Sequence, residues 1–312
     1  MRAFLFPGQG SQAVGMGAAL ATANRTAQDV FAEVDQALGQ NLFRLMREGP
    51  EDELKLTENA QPAIMAHSLA IFRALTKDGG VELTKAASFV AGHSLGEYSA
   101  LCAAGSFDLA TTAKLLKLRG QAMQAAVPVG VGAMAALLGA DLALAQKIAD
   151  AAAQGEVCAV ANDNDPSQVV ISGHKGAIDR AIEIAKDMGA KRAIPLPVSA
   201  PFHCPLMQPA AEAMRDALGQ VAIAAPTVPL YANVTAQPES DPDAIRNQLV
   251  EQVTGMVRWR ESVANMADAG VAEFVEIGGK VLGAMVKRIV PDAKVTSVIT
   301  IEDIEALAKE IA

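Results

Sequence analysis

Val90-Ala91-Gly92-His93-Ser94-Leu95-Gly96-Glu97-Tyr98-Ser99-Ala100 joins an apolar run, Ala87 to Ala91, that reads as a strand to a segment, Glu97 to Ala104, that reads as a helix. Ser94 stands at the junction in the Gly-x-Ser-x-Gly pattern of a nucleophile elbow. A turn this sharp holds the serine in a strained conformation and tolerates only small neighbours, which accounts for Gly92 and Gly96. It also pushes the hydroxyl outward at a helix N-terminus, where free N–H groups and the helix dipole favour the negative charge that forms when a carbonyl is attacked. The same five residues occur by chance as a serine-capped turn. The strand before and the helix after are the context that a catalytic reading requires.

Composition narrows the setting. In 312 residues, 51% are apolar, enough for a large core and for one big domain carrying a smaller one. The formal net charge of -9 argues against a nucleic-acid partner, whose phosphates need a basic face. Cys102, Cys158 and Cys204 lie far apart with no Cys-x-x-Cys spacing, so neither a zinc site nor a disulfide framework is expected, and the thiols suit a reducing cytoplasm. The apolar run at the N-terminus is too short for a signal peptide and is broken by Pro7-Gly8. No run approaches the roughly 18 apolar residues of a membrane span.

Arg2 to Phe6 reads as a first strand entering the loop Pro7-Gly8-Gln9-Gly10-Ser11-Gln12. A phosphate loop is not indicated, since neither a Lys-Ser/Thr ending nor the Gly-x-Gly-x-x-Gly spacing is present. Two readings stay open: an ordinary strand-to-helix turn, or a loop at the carboxyl end of a strand that supplies a backbone N–H beside Ser94. Thr26 to Leu38 and Gln61 to Thr76 carry apolar residues at helical spacing and read as covering helices, with Thr57-Glu58-Asn59 before Pro62 as a helix entry. Asp108 to Ala126 is a further helix. On it Arg119 shares a face with Leu115, Leu116 and Met123, so it needs a partner: an internal Asp or Glu, the commoner arrangement, or a substrate carboxylate gripped by the guanidinium fork.

From 128 to 197 the rhythm changes. Gly132–Leu138, Glu156–Ala161, Gln168–Ser172 and Arg192–Pro197 read as strands, and Leu142–Ala153 and Gly176–Met188 as helices. This βαββαβ order is the ferredoxin-like pattern, and prolines mark both joints. Residues 128–197 are therefore expected to form a small subdomain inserted in a large catalytic domain of residues 1–127 and 198–312, with a ligand cleft between them. Asn162-Asp163-Asn164-Asp165-Pro166 reads as the turn between the two middle strands, with lining of the cleft as the second reading.

His203 lies between Pro201 and Pro205 on a stretch that is neither helix nor strand. His67 reads as a helix residue, His93 belongs to the elbow and His174 to a turn, which leaves His203 as the base for Ser94. No acid between them marks itself as the third member of a triad. Beyond it the helices Leu206–Leu218, Asp241–Val253, Arg260–Ala269, Val281–Ile289 and Glu302–Ile311 alternate with the strands Pro229–Val234, Glu273–Ile277 and Lys294–Val298. That alternation predicts an α/β fold, a mostly parallel sheet with helices on both faces.

Together, Phe6-Pro7-Gly8-Gln9-Gly10-Ser11-Gln12, Gly92-His93-Ser94-Leu95-Gly96-Glu97-Tyr98, Arg119-Gly120, Gly132-Ala133-Met134-Ala135 and Pro201-Phe202-His203 strongly resemble the malonyl-CoA:acyl carrier protein transacylases of bacterial type II fatty acid synthesis and the acyltransferase domains of polyketide synthases. The resemblance implies an α/β-hydrolase-like core, Ser94 as nucleophile and His203 as its base. It further implies an oxyanion hole from the N–H groups of Gln9 and Leu95, a malonyl carboxylate held by Arg119, and an imidazole oriented by a backbone carbonyl near Gln252. Asn162 resembles a cleft position, although the commoner family sequence there is Asn-x-Asn-Ser-Pro, and Phe202 resembles the malonyl-selective members. Malonyl-CoA and acyl carrier protein are the implied partners. No metal or cofactor is expected, and a cytoplasmic monomer of the dissociated system is. The rivals are a serine thioesterase or hydrolase, which passes the acyl group to water, and a non-catalytic subunit that docks carrier protein.

Overall fold

The computed structural model describes residues 1–311. Its strands are β1 (Arg2–Phe6), β2 (Phe89–Gly92), β3 (Gly132–Leu138), β4 (Cys158–Asp165), β5 (Gln168–His174), β6 (Arg192–Pro195), β7 (Leu230–Tyr231), β8 (Pro238–Glu239), β9 (Glu273–Ile277) and β10 (Lys294–Val298). The larger sheet has the order β10-β9-β1-β2-β7-β8. Every pair from β10 to β7 is parallel, and only the two-residue edge strand β8 runs the other way.

Burial on both faces explains the continuous apolar runs of its central strands. In β1, Phe4 and Phe6 join a core with Val90, Val275 and the long helices Thr57–Arg73 and Leu109–Ala126. Ala3 and Leu5 point the other way, into a second core with Ala91, Phe274 and the helices Trp259–Asp268 and Val281–Ile289. The sheet is thus the middle of three layers. No helix among the described residues is long and apolar enough to cross a membrane.

The smaller sheet has the order β4-β5-β3-β6, with every neighbour antiparallel. One face packs Ala135, Leu137, Val169 and Ile171 against the helices Leu142–Ala153 and Lys175–Ala185. From the other face Met134, Ala136 and Val170 enter the main core. This sheet therefore sits on the body of the molecule.

Three local expectations need correction. The helix expected from Gln61 begins at Thr57, because its first turn is polar and carries no apolar period, while Leu56 already accepts hydrogen bonds from the N–H groups of Asn59 and Ala60 at 2.8 Å. Residues 162–165, read as a turn, continue β4 through two register shifts, because the main body supplies partners: the N–H of Asp163 donates to the carbonyl of Val257 (3.0 Å) and the N–H of Val257 to that of Ala161 (2.9 Å). The turn itself falls one step later, where Asp165 Oδ1 accepts from the N–H of Ser167 at 2.9 Å. The strand expected over Pro229–Val234 keeps only Leu230–Tyr231, because Asn233 leaves the ladder to brace the elbow.

Candidate active site

Ser94 ends the turn after β2 with φ 54°, in the left-handed region that side chains avoid. The strain is held by close backbone packing. A Cβ on Gly92 would lie 1.9 Å from the Gly96 carbonyl oxygen, and one on Gly96 would lie 2.2 Å from that of Phe6. Asn233 adds a side-chain clamp: its Oδ1 accepts from the N–H of Ser94 (2.8 Å) and its Nδ2 donates to the carbonyl of Gly92 (2.7 Å).

His203 is likewise in the left-handed region, with φ 56°, and is buried. Its Nε2 lies 2.7 Å from Ser94 Oγ and its Nδ1 lies 2.8 Å from the backbone carbonyl of Gln252. A carbonyl only accepts, so the ring proton sits on Nδ1 and the Nε2 lone pair faces the serine. Burial, helped by the positive charge of Arg119, pushes the imidazole down to about 3, so it is neutral across the physiological range. Among the described residues Nδ1 meets this backbone oxygen and no carboxylate, an arrangement in which a carbonyl can stand where a triad has its acid.

Arg119 is 1% exposed. Its Nη1 donates to Gln61 Oε1 (2.8 Å), and its Nη2 donates to Gln252 Oε1 (2.7 Å) and to Ser94 Oγ (3.2 Å). Among the described residues Nε has no hydrogen-bond partner, and the Tyr98 ring lies 5.7 Å beneath the guanidinium. Of the two partners open from the sequence, the internal acid is not in ion-pair contact among the described residues. The buried carboxylate nearby, Glu97, accepts from Gln252 Nε2 and, at 3.4 Å, from the N–H of Asn233. Burial pushes Glu97 up to about 7. A buried cation held mainly by neutral amide oxygens, one bond length from a nucleophile, suits an incoming anion.

The N–H groups of Gln9 and Leu95 donate to no acceptor among the described residues. Gln9 joins Ser94, His203, Asn162, Phe202 and Met134 in lining one cleft, where the smaller sheet meets the elbow. Gly8 lets the Gln9 loop come this close, since a Cβ there would lie 2.7 Å from the carbonyl oxygen of His93. No other histidine hydrogen-bonds to Ser94 among the described residues. His93 Nε2 meets Asn164 Oδ1 at 2.8 Å, His174 Nδ1 accepts from the N–H of Val157 at 2.9 Å, and burial pushes His67 down to about 4. Among the described residues no group of three or more His, Cys, Asp or Glu is placed to hold a metal.

Sequence reasoning missed Asn233, Gln61, Glu97 and Asn164. Only Glu97 offered a signal, a carboxylate on an otherwise apolar helix immediately after the elbow.

The chain matches the acyl transferase domain family over residues 3–299. It is 48% identical over 289 residues to the malonyl CoA-acyl carrier protein transacylase of Escherichia coli strain K12, covering 92% of each chain. The crystal structure of the acyl-carrier-protein-S-malonyltransferase from Bartonella henselae superposes with a TM-score of 0.97 at 52% identity, over 99% of each chain. A further solved chain, from a type II PKS acyl carrier protein in complex with its malonyl-transacylase, superposes with a TM-score of 0.95 at 42% identity, over 99% of each chain.

Proposed function

The chain belongs to the acyl transferase domain family, and from that premise we propose that it transfers the malonyl group of malonyl-CoA to the pantetheine thiol of acyl carrier protein, supplying fatty acid synthesis. One observation carries the assignment of roles. The Ser94 hydroxyl lies 2.7 Å from a neutral imidazole and 3.2 Å from a buried guanidinium. Base and cation therefore meet at a single oxygen, as an acyl group ending in a carboxylate requires.

In the proposed reaction, Ser94 Oγ attacks the thioester carbonyl while His203 Nε2 takes its proton. The N–H groups of Gln9 and Leu95 hold the oxyanion, where losing one donor costs about 10²- to 10³-fold in rate. The C–S bond then breaks, and the CoA sulfur leaves with the proton from His203. Malonyl-Ser94 waits with its carboxylate on Arg119. The carrier-protein thiol gives its proton to His203 and attacks, and Ser94 recovers its own. Two thiols, one serine and one imidazole balance the exchange, so the scheme calls on no metal or cofactor.

Asn162 and Phe202 are assigned to the cleft wall that meets the acyl group, and Gln252 to orienting His203 through its carbonyl. Residues 128–197 are assigned to an inserted subdomain, supported by the four-stranded sheet they form. The large exposed apolar side chains are few and scattered, which supports a monomer. Three unpaired thiols support a cytoplasmic setting.

Incubation with malonyl-CoA followed by intact-mass measurement is expected to show a malonyl adduct on the wild type and none on Ser94→Ala. Adding acyl carrier protein should move the adduct to the carrier. Release as free malonate instead would make the enzyme a hydrolase.

A further inference from the structure

The buried guanidinium and the oxyanion loop are joined by an unbroken run of side-chain hydrogen bonds. Arg119 Nη1 donates to Gln61 Oε1 (2.8 Å), Gln61 Nε2 donates to Thr57 Oγ1 (3.0 Å), and Thr57 Oγ1 donates to Gln9 Oε1 (2.9 Å). The donors all point one way, from the cation to Gln9. Thr57 and Gln61 are each 1% exposed, so the bonds from Arg119 to Gln61 and from Gln61 to Thr57 are shielded from water, while Gln9, at the far end, is exposed. The buried members Arg119, Gln61 and Thr57 move together, because leaving any of them unpaired is costly, and Gln9 is drawn along by its bond to Thr57.

The backbones at the two ends of the run differ in freedom. Gly120, next to Arg119, is jammed against the helix that carries Thr57 and Gln61: a Cβ there would lie 2.5 Å from the Glu58 Cα and 2.6 Å from the Thr57 carbonyl oxygen. The two helices therefore hold a fixed spacing. The Gln9 loop has no such bed beyond Gly8. Gly10 has φ 105° with no atom within 4 Å of where a Cβ would stand. Among the described residues the Gln9 side chain has one hydrogen-bond partner, Thr57.

We propose that Thr57 and Gln61 are positioning residues that couple the carboxylate site at Arg119 to the Gln9 N–H, so that a carboxylated acyl group improves the oxyanion hole that then acts on it. This rests on the transfer reaction proposed above and adds to it a source of selectivity. A carboxylate lying end-on across Nη1 and Nη2 shares those two nitrogens with Gln61, Gln252 and Ser94, and so shifts the guanidinium against Gln61. Any shift of Gln61 passes through Thr57 to Gln9. An uncharged acyl group leaves Arg119 on its amide partners and the loop in its resting position. Selection would then be expressed in the transition state as well as in binding.

The test uses Thr57→Val, which keeps the shape of the side chain and removes the hydroxyl, with Thr57→Ser as the conservative rescue. Rates of Ser94 acylation by malonyl-CoA and by acetyl-CoA are measured by rapid quench and intact mass, and thermal melts establish that each variant folds. For Thr57→Val, which loses the hydroxyl's bonds to both Gln61 and Gln9, the malonyl rate is expected to fall about 3- to 10-fold, with KM for malonyl-CoA unchanged and the acetyl rate within about twofold of wild type. Thr57→Ser should restore the malonyl rate. An equal fall for both donors, no fall for either, or a raised KM at unchanged kcat overturns the coupling. Absence of any acyl adduct on the wild type with either donor would instead overturn the transfer reaction itself.

Discussion

Gln252 does three things with one residue. Its backbone carbonyl accepts from His203 Nδ1, its Oε1 accepts from Arg119, and its Nε2 donates to the Ser94 carbonyl (3.0 Å) and to Glu97. The amide can face only one way, because a guanidinium offers nothing but donors. His203, Arg119 and Ser94 are thereby held in a single frame. A consequence for pH dependence follows from the buried imidazole. The base must be neutral to act, so activity is lost as pH falls through its pKa, and burial has moved that point from the ordinary value near 6.5 down to about 3. Acylation of Ser94 by malonyl-CoA is therefore expected to stay within about twofold between about pH 8 and pH 5. The measurement is cleanest in Glu97→Gln, since Glu97 is pushed up to about 7 and adds its own inflection in the wild type. An acid limb near pH 6.5 persisting in that variant would contradict a neutral buried base.

At the scale of elements, the elbow is a strand end, a turn and a helix start that interlock through absent side chains. Gly92 and Gly96 meet each other's backbone and that of Phe6 at distances that exclude any Cβ. Gly92→Ala has no flexible neighbour to displace, so it must push the strand from the helix, and a loss of about 3 kcal/mol or more is expected by urea unfolding. A loss under about 1 kcal/mol would mean that the turn relaxes freely. The elements also show what was readable beforehand. β9 and β10 have the bounds expected for them, Glu273–Ile277 and Lys294–Val298, because each is a short segment rich in β-branched residues, β9 between Gly270 and Gly278 and β10 after Pro291. β7 was read too long and β4 too short for one reason: Asn233 and Asn162–Asp165 are turn-prone locally, but each meets a distant partner that decides its conformation.

Across the whole molecule, two ion pairs pin the smaller sheet to the body. Arg260 holds the Asp163 carboxylate with Nε at 2.9 and 3.0 Å and Nη2 at 2.8 Å, while Arg288 Nε lies 2.8 Å from Asp165 Oδ2. In each pair the carboxylate is buried and the arginine is partly exposed. Asn164, between the two, reaches the elbow through His93. The fastening therefore lies beside the cleft. Burial raises the Asp163 carboxyl even with Arg260 beside it, so without the arginine its ionisation has nothing to offset it. A carboxyl whose folded pKa exceeds its unfolded value costs stability as pH rises. Arg260→Ala is thus expected to lose about 2 kcal/mol near pH 8 and clearly less near pH 5, read as urea midpoints, after allowing for the exposure of the arginine. An equal deficit at both values would show that Asp163 finds another partner.

Chemistry carried by adjacent residues was open to reading in the chain alone: the strained serine between two glycines, the histidine between two prolines, and the α/β alternation with the βαββαβ order of residues 132–195. These depend on backbone sterics and hydrophobic period, which act over a few residues. What Arg119 bonds to, which carbonyl faces His203, and that Thr57 touches Gln9 were decided by folding. The partners lie from 25 to 133 positions apart in sequence, and hydrogen bonds over such spans leave no local pattern, since any polar residue can serve once packing brings it within about 3 Å.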